Sequence, residues 1–312
     1  MAAEGRGAAA EFARPALIRA PWKKKRKATR MPELPEVEVT RRAIEPFATG
    51  KTIARAIVRR RDFRRPLDPE FERTAQGAVV TGVGRRSKYL LLRLSGGRPA
   101  LVAHLGMSGV LMALPAGDRR LAAPEKHDHL DLAFADGSAL RYRDPRRFGL
   151  WALCADEKSD PLFARLGPEP LGDEFTAACF LSALKGRTGP IKSVLMSNEL
   201  VVGVGNIYAN EALFAARVHP RARACDLSAP KARALRVAVI EALTAAIRRG
   251  GSTIRDFRDP LGEEGLFALD CAVYGKEGEP CPRCSTPIRR DVFGGRSAFY
   301  CPRCQRLPRP RV

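Results

Sequence analysis

Six short runs of apolar or alternating residues lie between positions 52 and 143: Thr52–Val58, Ala78–Val83, Tyr89–Leu94, Leu101–Leu105, Leu130–Phe134 and Ala139–Arg143. Gly96-Gly97, Pro115-Ala-Gly117 and Asp136-Gly137 punctuate them. Runs of that length and spacing predict the strands of an antiparallel sandwich. Ahead of them, Pro35 in a first turn, Glu36 and Glu38 early and Arg41-Arg42 late predict a short helix that Pro46 stops. After Trp151 the alternation ends, and Ala155–Pro170, rich in Asp, Pro and Gly, reads as a linker. Beyond it the period becomes helical. Ser228-Ala-Pro230 opens a helix whose Leu235, Val239, Leu243, Ala246 and Ile247 form one stripe, and Gly250-Gly251 closes it. Asn206 is placed to cap a second helix over Ile207–Ala216. The class is α+β, without internal repeats.

The 312 residues are enough for two domains, and a chain 45% hydrophobic and 29% charged is globular. Charge narrows the function. The net charge is +21; nine Lys/Arg against two Glu put +7 in residues 1–30, so +14 remains on residues 31–312. Such a field suits a polyanion, most simply nucleic acid; a basic or ribosome-associated protein from an Arg- and Ala-rich proteome is the plainer alternative. No run of eighteen apolar residues predicts a membrane span. The first thirty residues make a poor secretion signal, because the charge lies at the wrong end. Lys23–Lys27 could be a nuclear localisation cluster or a DNA-binding arm; the preferred reading is an upstream start outside the working enzyme. Cys154, Cys179, Cys225 and Cys271 are scattered, as in a protein of a reducing compartment.

Cys281-x2-Cys284-x16-Cys301-x2-Cys304 is the strongest signal that spacing gives. Two CxxC knuckles supply four thiolates to one tetrahedral zinc, and a site with no open position is structural rather than catalytic. Gly294-Gly295, central in Thr286–Tyr300, predicts a hairpin with Arg296 just past its tip. Spacing alone leaves Arg296 open between a contact residue and a solvated charge. Gly203-Val-Gly205-Asn206 before a helix would offer N–H groups to a phosphate, a reading that nearby Arg187 and Lys192 strengthen against a plain tight turn.

Asp144-Pro-Arg146-Arg147-Phe148-Gly149 sets an aromatic beside cations on a predicted turn, and His104-Leu-Gly-Met107-Ser-Gly109 puts Met107 on another. Residues of these types are usually core. Their turn positions argue instead for exposure, where they could wedge between unstacked bases. Lys88, in Arg85-Arg86-Ser87-Lys88-Tyr89, would start a strand, as a surface lysine or in a phosphate groove. His127 and His129 look like metal ligands, but no carboxylate–histidine cluster accompanies them, so DNA contact or structural hydrogen bonding is expected. Met31-Pro32-Glu33-Leu34-Pro35-Glu36 is the last motif. With Met31 as a removed initiator, Pro32 would carry a free secondary amine, able to attack a sugar C1′ and give an iminium directly. The neighbouring helix dipole would help keep that amine neutral, and Glu33 could move protons. A helix-starting proline is the alternative.

Together, Met31–Glu36, Arg86-Ser-Lys88-Tyr-Leu, His104–Gly109, Asp144–Gly149, Gly203–Tyr208 and the four-cysteine finger occur in an order that closely resembles the bacterial formamidopyrimidine-DNA glycosylases. The resemblance spans essentially residues 31–305. It implies a catalytic β-sandwich with an N-terminal helix over 32–154, the linker 155–170, a helix-two-turns-helix domain over 171–268, a zinc-ribbon hairpin over 269–305 and a tail over 306–312. The implied partner is double-stranded DNA with oxidised bases or abasic sites, bound by a monomer in the bacterial cytoplasm, at the nucleoid, and the implied cofactor is one structural zinc. By the same resemblance Pro32 is the nucleophile of a base-excising glycosylase and AP lyase, and Glu33 its proton donor. Lys88 would contact phosphate and assist β-elimination, and Arg296 would grip the flanking phosphates and assist δ-elimination. Arg187, Lys192 and Asn206 would hold backbone phosphate, and His127 and Arg146 would touch DNA. Met107, Arg146 and Phe148 would fill the gap left by the flipped base.

Two features depart from the pattern. Leu266, in Gly265-Leu266-Phe267, stands where many members carry an aromatic, which bears on lesion preference. With residues 1–30 attached, Pro32 is a tertiary amide with no lone pair to attack. The oxidised purines 8-oxoguanine and formamidopyrimidines are the expected lesions. Leu34 favours that over the sister endonuclease VIII type acting on oxidised pyrimidines, and a non-catalytic damage-binding protein is the reading if the leader stays on.

Overall fold

The computed structural model describes residues 32–251 and 271–307. The expectations for the leader, Met31, the Gly265–Phe267 loop and residues 308–312 lie outside them. Helix α1 (Leu34–Ala48) starts at Leu34 and carries Pro35 in its first turn as the pattern indicates, with the Glu36 carboxylate accepting the Glu33 N–H at 2.8 Å. Pro46 does not stop it: the helix runs on to Ala48. In the last turn a proline forfeits a single intrahelical bond, and the helix ends instead where Gly50 takes φ +84°.

Eight strands and two short helices follow. They are β1 (Ile53–Val58), α2 (Phe71–Ala75), β2 (Val80–Arg86), β3 (Tyr89–Leu94), β4 (Ala100–His104), β5 (Val110–Leu114), α3 (Arg119–Ala122), β6 (Asp128–Phe134), β7 (Ala139–Arg143) and β8 (Leu150–Cys154). They pair antiparallel in two four-stranded sheets, ordered β1-β6-β7-β5 and β2-β3-β4-β8. Trp151 lies edge-on to Phe71 and Tyr142 at 5.8 and 5.6 Å in the core. Strands β5 and β8 went unread from the sequence. Val110–Leu114 is a continuous apolar run that carries no alternation, and β8 extends past Trp151 to Cys154. Lys88 does not start a strand: with Ser87, at φ +55°, it forms the two-residue turn between β2 and β3. Segment 105–109 crosses from one sheet to the other and segment 144–149 crosses back. Because β5 pairs with β7 and β4 with β8, the two crossings run side by side.

The 155–170 stretch has no regular element, but it is packed in place. Phe163 lies against Leu91, Val102 and Cys154 on the outer sheet face, and Glu169 accepts the Ser87 N–H at 2.7 Å. Four helices then build a second core: α4 (Ala177–Leu184), α5 (Ile191–Leu195), α6 (Asn206–Ala215) and α7 (Ala229–Arg248). All five residues of the α7 stripe are buried; each Leu, Ile or Val among them contributes about 1.5–3 kcal/mol. Strands β9 (Arg289–Phe293) and β10 (Arg296–Tyr300) form the C-terminal hairpin. Gly294 and Gly295 both have positive φ, the backbone that a tight two-residue hairpin turn demands.

Candidate active site and DNA interface

Helix α6 is the element on which the site is assembled. Asn206 is its first residue rather than its cap; Gly205 holds the cap position and has no side chain to offer. The orphan N–H groups are met from far away. Gly205 and Ile207 donate to the Glu33 carboxylate at 2.9 and 3.0 Å, and Tyr208 donates to it at 3.5 Å. The tyrosine hydroxyl also donates to Glu36 at 2.7 Å. The chain start is thus stitched to a helix 172 residues later, and the Leu34 N–H to the Gly203 carbonyl at 3.1 Å completes the seam. This overturns the phosphate reading of the Gly203–Asn206 turn at the backbone level, since an internal carboxylate already occupies that helix end. The glycines have a steric purpose. A Cβ on Gly205 would stand 2.2 Å from the Glu33 carboxyl carbon, and one on Gly203 would meet Leu34 at 2.5 Å.

Pro32 and Glu33 are buried at this seam. Burial pushes the Glu33 carboxyl up to about 7; the Lys88 ammonium opposes that, and the neighbouring Glu36 reinforces it. Lys88 is also buried, which lowers its pKa, with Arg296 lowering it further and Glu33 working the other way. Lys192, lowered to about 8 by burial and by Arg296, donates to Asn206 Oδ1 at 2.6 Å and to the Ser297 carbonyl at 2.8 Å. Lys192 and Arg296, with Met196 and Phe293, line a cavity of about 310 Å³. Arg296 is exposed at the start of β10, and its guanidinium overhangs two buried amines. His104 is neutral, lowered to about 4 by burial and by Lys88, and its Nδ1 accepts the Gly106 N–H.

Pro32, Glu33, Lys88, Lys192, Asn206 and Arg296 therefore form one constellation. The other expected residues lie apart from it. Met107 is half-buried on one sheet crossing, and Phe148, 47% exposed, stands on the other with the Arg146 guanidinium 4.7 Å from its ring. His127 lines a basic depression of about 500 Å³ with Arg59, Lys126 and Arg147. His129 is structural, its Nε2 against the Asp144 carbonyl at 2.9 Å. Arg187 is engaged with the Ala183 carbonyl and the Glu199 carboxylate. The sequence reasoning missed Glu36, Tyr208 and Asn210, whose Oδ1 accepts the Phe299 N–H at 2.7 Å and seats the hairpin on α6. The i, i+4 pair Asn206 and Asn210 at the head of a helix was the only signal for the last.

The four hairpin cysteines close the other end. Their Sγ atoms all lie within 4.8 Å of one another, with pairs at 3.4, 3.5 and 4.0 Å. Zinc–thiolate bonds of 2.3 Å in a tetrahedron require sulfur separations of about 3.8 Å, so the donor set fits one structural zinc. The Arg283 and Cys304 N–H groups each donate to a knuckle sulfur at 3.4 Å. Glu211, on α6, accepts N–H groups from Ala272, Val273 and Tyr274 and anchors the segment leading into the finger.

A buried acid of neutral pKa beside desolvated amines and an overhanging arginine is a site equipped for acid–base chemistry on an anionic partner. Family comparison makes that specific. Residues 31–151 match the formamidopyrimidine-DNA glycosylase N-terminal domain, 166–258 its H2TH domain, and 278–307 the zinc finger found in FPG and IleRS. The formamidopyrimidine-DNA glycosylase of Laribacter hongkongensis is 49% identical over 278 residues, 88% of this chain and all of that protein. The crystal structure of the Thermus thermophilus Fpg protein is 40% identical, with a TM-score of 0.78 over 89% of this chain and all of its own. The Lactococcus lactis Fpg in complex with DNA containing an abasic site is 36% identical, with a TM-score of 0.79 over 88% of this chain and 99% of its own. The chain belongs to the formamidopyrimidine-DNA glycosylase family. It is a base-excision repair enzyme, a bifunctional DNA glycosylase and AP lyase with one structural zinc. Among the described residues no helix is long and apolar enough to cross a membrane.

Proposed function

We propose that Pro32 is the nucleophile and Glu33 the proton donor in excision of oxidised purines from duplex DNA. The observation that carries this reading is the Glu33 carboxyl, buried beside Pro32 with a pKa of about 7, where an acid keeps a proton to give at neutral pH. The target nucleotide is flipped out, because C1′ is shielded inside the stack. The Pro32 nitrogen attacks C1′, the glycosidic bond breaks and the base leaves with a proton. Glu33 protonates the ring oxygen as the sugar opens, which leaves a cationic iminium on Pro32. Loss of a C2′ proton then expels the 3′ phosphate, with Lys88 against the charge that develops; a second elimination, with Arg296 gripping the phosphates, expels the 5′ phosphate. Water hydrolyses the iminium and frees Pro32. Lys192, Asn206 and Arg187 hold backbone phosphate, His127 and Arg146 contact DNA, and Met107, Arg146 and Phe148 occupy the vacated gap.

The Lactococcus lactis relative is known with a Fapy-dG derivative and with an oxidised pyrimidine in its DNA, so a lesion range that includes pyrimidines is the second reading. Single-turnover rates on matched 8-oxoguanine and oxidised-pyrimidine duplexes decide it: faster purine excision is expected, and equal rates would undo the preference. The working place is the bacterial cytoplasm, at the nucleoid.

The nucleophile has its own test. Borohydride will trap a covalent complex with an 8-oxoguanine duplex when intact mass shows Pro32 at the N-terminus. Trapping by protein that still carries residues 1–30, where Pro32 is an amide, would sink the assignment.

A further inference from the structure

The two sheet crossings that carry Met107 and Phe148 are not independent loops. Gly106, at φ +65°, packs backbone to backbone on the other crossing: a Cβ there would stand 2.4 Å from the Phe148 carbonyl carbon and 2.5 Å from the Gly149 nitrogen. Between the crossings sits a fully buried carboxylate, Asp144. One of its oxygens accepts the Ser108 hydroxyl at 2.6 Å and the Arg146 N–H at 3.2 Å; the other accepts the Gly149 N–H at 2.8 Å and the Tyr142 hydroxyl at 3.1 Å. The Ser108 oxygen in turn accepts the Arg146 N–H at 3.2 Å. The Asp144 main chain is held as well, its N–H on the His127 carbonyl at 3.1 Å and its carbonyl on His129 at 2.9 Å. Four donors converge on one acceptor-only group, and they come from both crossings and from the core strand β7.

We propose that Asp144 is the positioning residue that locks these two loops into one rigid wedge, so that Met107, Arg146 and Phe148 enter the DNA in a single register. The proposal rests on the void-filling reading above. The carboxylate touches no DNA; it acts through Ser108 on the Met107 loop and through the Arg146 and Gly149 amides on the loop of Phe148. A wedge made of two separate loops would have to be ordered while it unstacks a base, and that ordering cost falls on base extrusion. The prebuilt wedge avoids it. An asparagine in this place is not an equivalent. Its NH₂ would face either the Arg146 N–H or the Gly149 N–H, and neither backbone donor can turn away as the two hydroxyls can.

The test compares single-turnover rates on two duplexes, one with 8-oxoguanine opposite cytosine and one with a preformed abasic site, where no base has to be evicted. Asp144→Asn is expected to slow 8-oxoguanine excision tenfold or more and abasic-site incision less than threefold. Phe148→Ala is expected to slow excision in the wild-type protein but to add little in the Asp144→Asn protein, because the wedge is already out of register. Equal losses on both duplexes, or full additivity with Phe148→Ala, would overturn the proposal. If Asp144→Asn loses its melting transition, Ser108→Ala carries the test, with a three- to tenfold loss expected on 8-oxoguanine alone and no selective loss overturning it. Wild-type excision indifferent to Phe148→Ala and Met107→Ala would remove the void-filling reading itself and this proposal with it, a result that needs no Asp144 variant to recognise.

Discussion

The two ends of α6 meet the same physical demand with opposite consequences. Every helix leaves N–H groups at its start and carbonyls at its end without partners, and its dipole favours an anion at the first and a cation at the second. At the start of α6 the acceptor is the Glu33 carboxyl, brought from the N-terminal domain and buried. At its end the cation is Arg283, from the first zinc knuckle, donating to the Phe214 and Ala215 carbonyls at 2.9 and 3.2 Å while exposed to solvent. Burial makes the difference. In water a helix cap is a fastening; out of water the same contact tunes a pKa, and the helix start becomes part of the chemistry. One helix therefore holds both the Glu33 carboxyl and the finger, and fixes the one relative to the other.

The strongest way to break the finger side is to remove a zinc ligand. Structural zinc supplies on the order of 10–16 kcal/mol to a small finger, far more than the small cluster of Phe214, Val273, Ile288 and Phe299 supplies alone. Cys281→Ser is expected to lose zinc and DNA binding together, because the hairpin that presents Arg296 then has nothing to hold it. Metal content and binding to an abasic-site duplex at fixed salt check this. Tight binding by the zinc-free protein would mean that the seating of β10 on Asn210 and Lys192 suffices without the metal.

Breaking the other end should leave the fold and remove the rate. Glu33→Gln keeps the shape and one acceptor for the α6 amides, at the cost of turning its NH₂ toward either the Gly205 or the Ile207 N–H. With no proton to give, it should lower excision about 10²–10⁴-fold, the usual scale for a general acid. The pH dependence follows from the sign of the shift. The Glu33 pKa is raised from 4.5 to about 7 in the folded protein, so the proton is present below about 7 and excision should decline as pH rises through that value. The associated stability runs the same way: it is complete below 4.5 and is lost as pH rises through about 7. The glutamine variant should lose that alkaline limb. An unchanged pH profile in Glu33→Gln would move the acid role to another group.

Much of this was legible in the sequence wherever the cause is local. The α7 stripe, the cysteine spacing and the glycine turn before Arg296 each depend on residues a few positions apart. The cap on α6 was not legible, because the residue that makes it lies 172 positions away and Gly205 by itself reads as an empty cap. The same blindness turned Gly203 and Gly205 into a phosphate loop, when their missing side chains make room for Leu34 and Glu33. Strand β5 was lost for a different reason: its burial alternates, with Leu111 and Ala113 buried and Val110 and Met112 half-buried, but Val-Leu-Met-Ala-Leu has no polar beat to mark that period in the sequence. The hub at Asp144 looked like part of a turn: Tyr142, Arg146 and Gly149 lie within five positions of it, and nothing in Asp144-Pro145 announces the Ser108 hydroxyl that arrives from 36 positions away.

The smallest expected effect sharpens the comparison most. Arg283→Ala removes the cation from the C-terminal end of α6 and its contact with the Phe214 ring, whose centroid lies 4.5 Å away, but leaves all four cysteines in place. Because Arg283 is exposed, the loss should be only about 1 kcal/mol, in the range of solvated helix-end charges. Lys231, which donates to the Ala216 and Arg217 carbonyls at 3.4 and 3.3 Å, still covers the last turn. Zinc should stay bound, and excision should remain within about threefold of wild type. A small drop in melting temperature with normal excision would establish that the exposed end only fastens. If Arg283→Ala instead slowed excision as Glu33→Gln does, with zinc retained, the two ends would be coupled through the helix, and the division between a catalytic start and a structural end of α6 would fail.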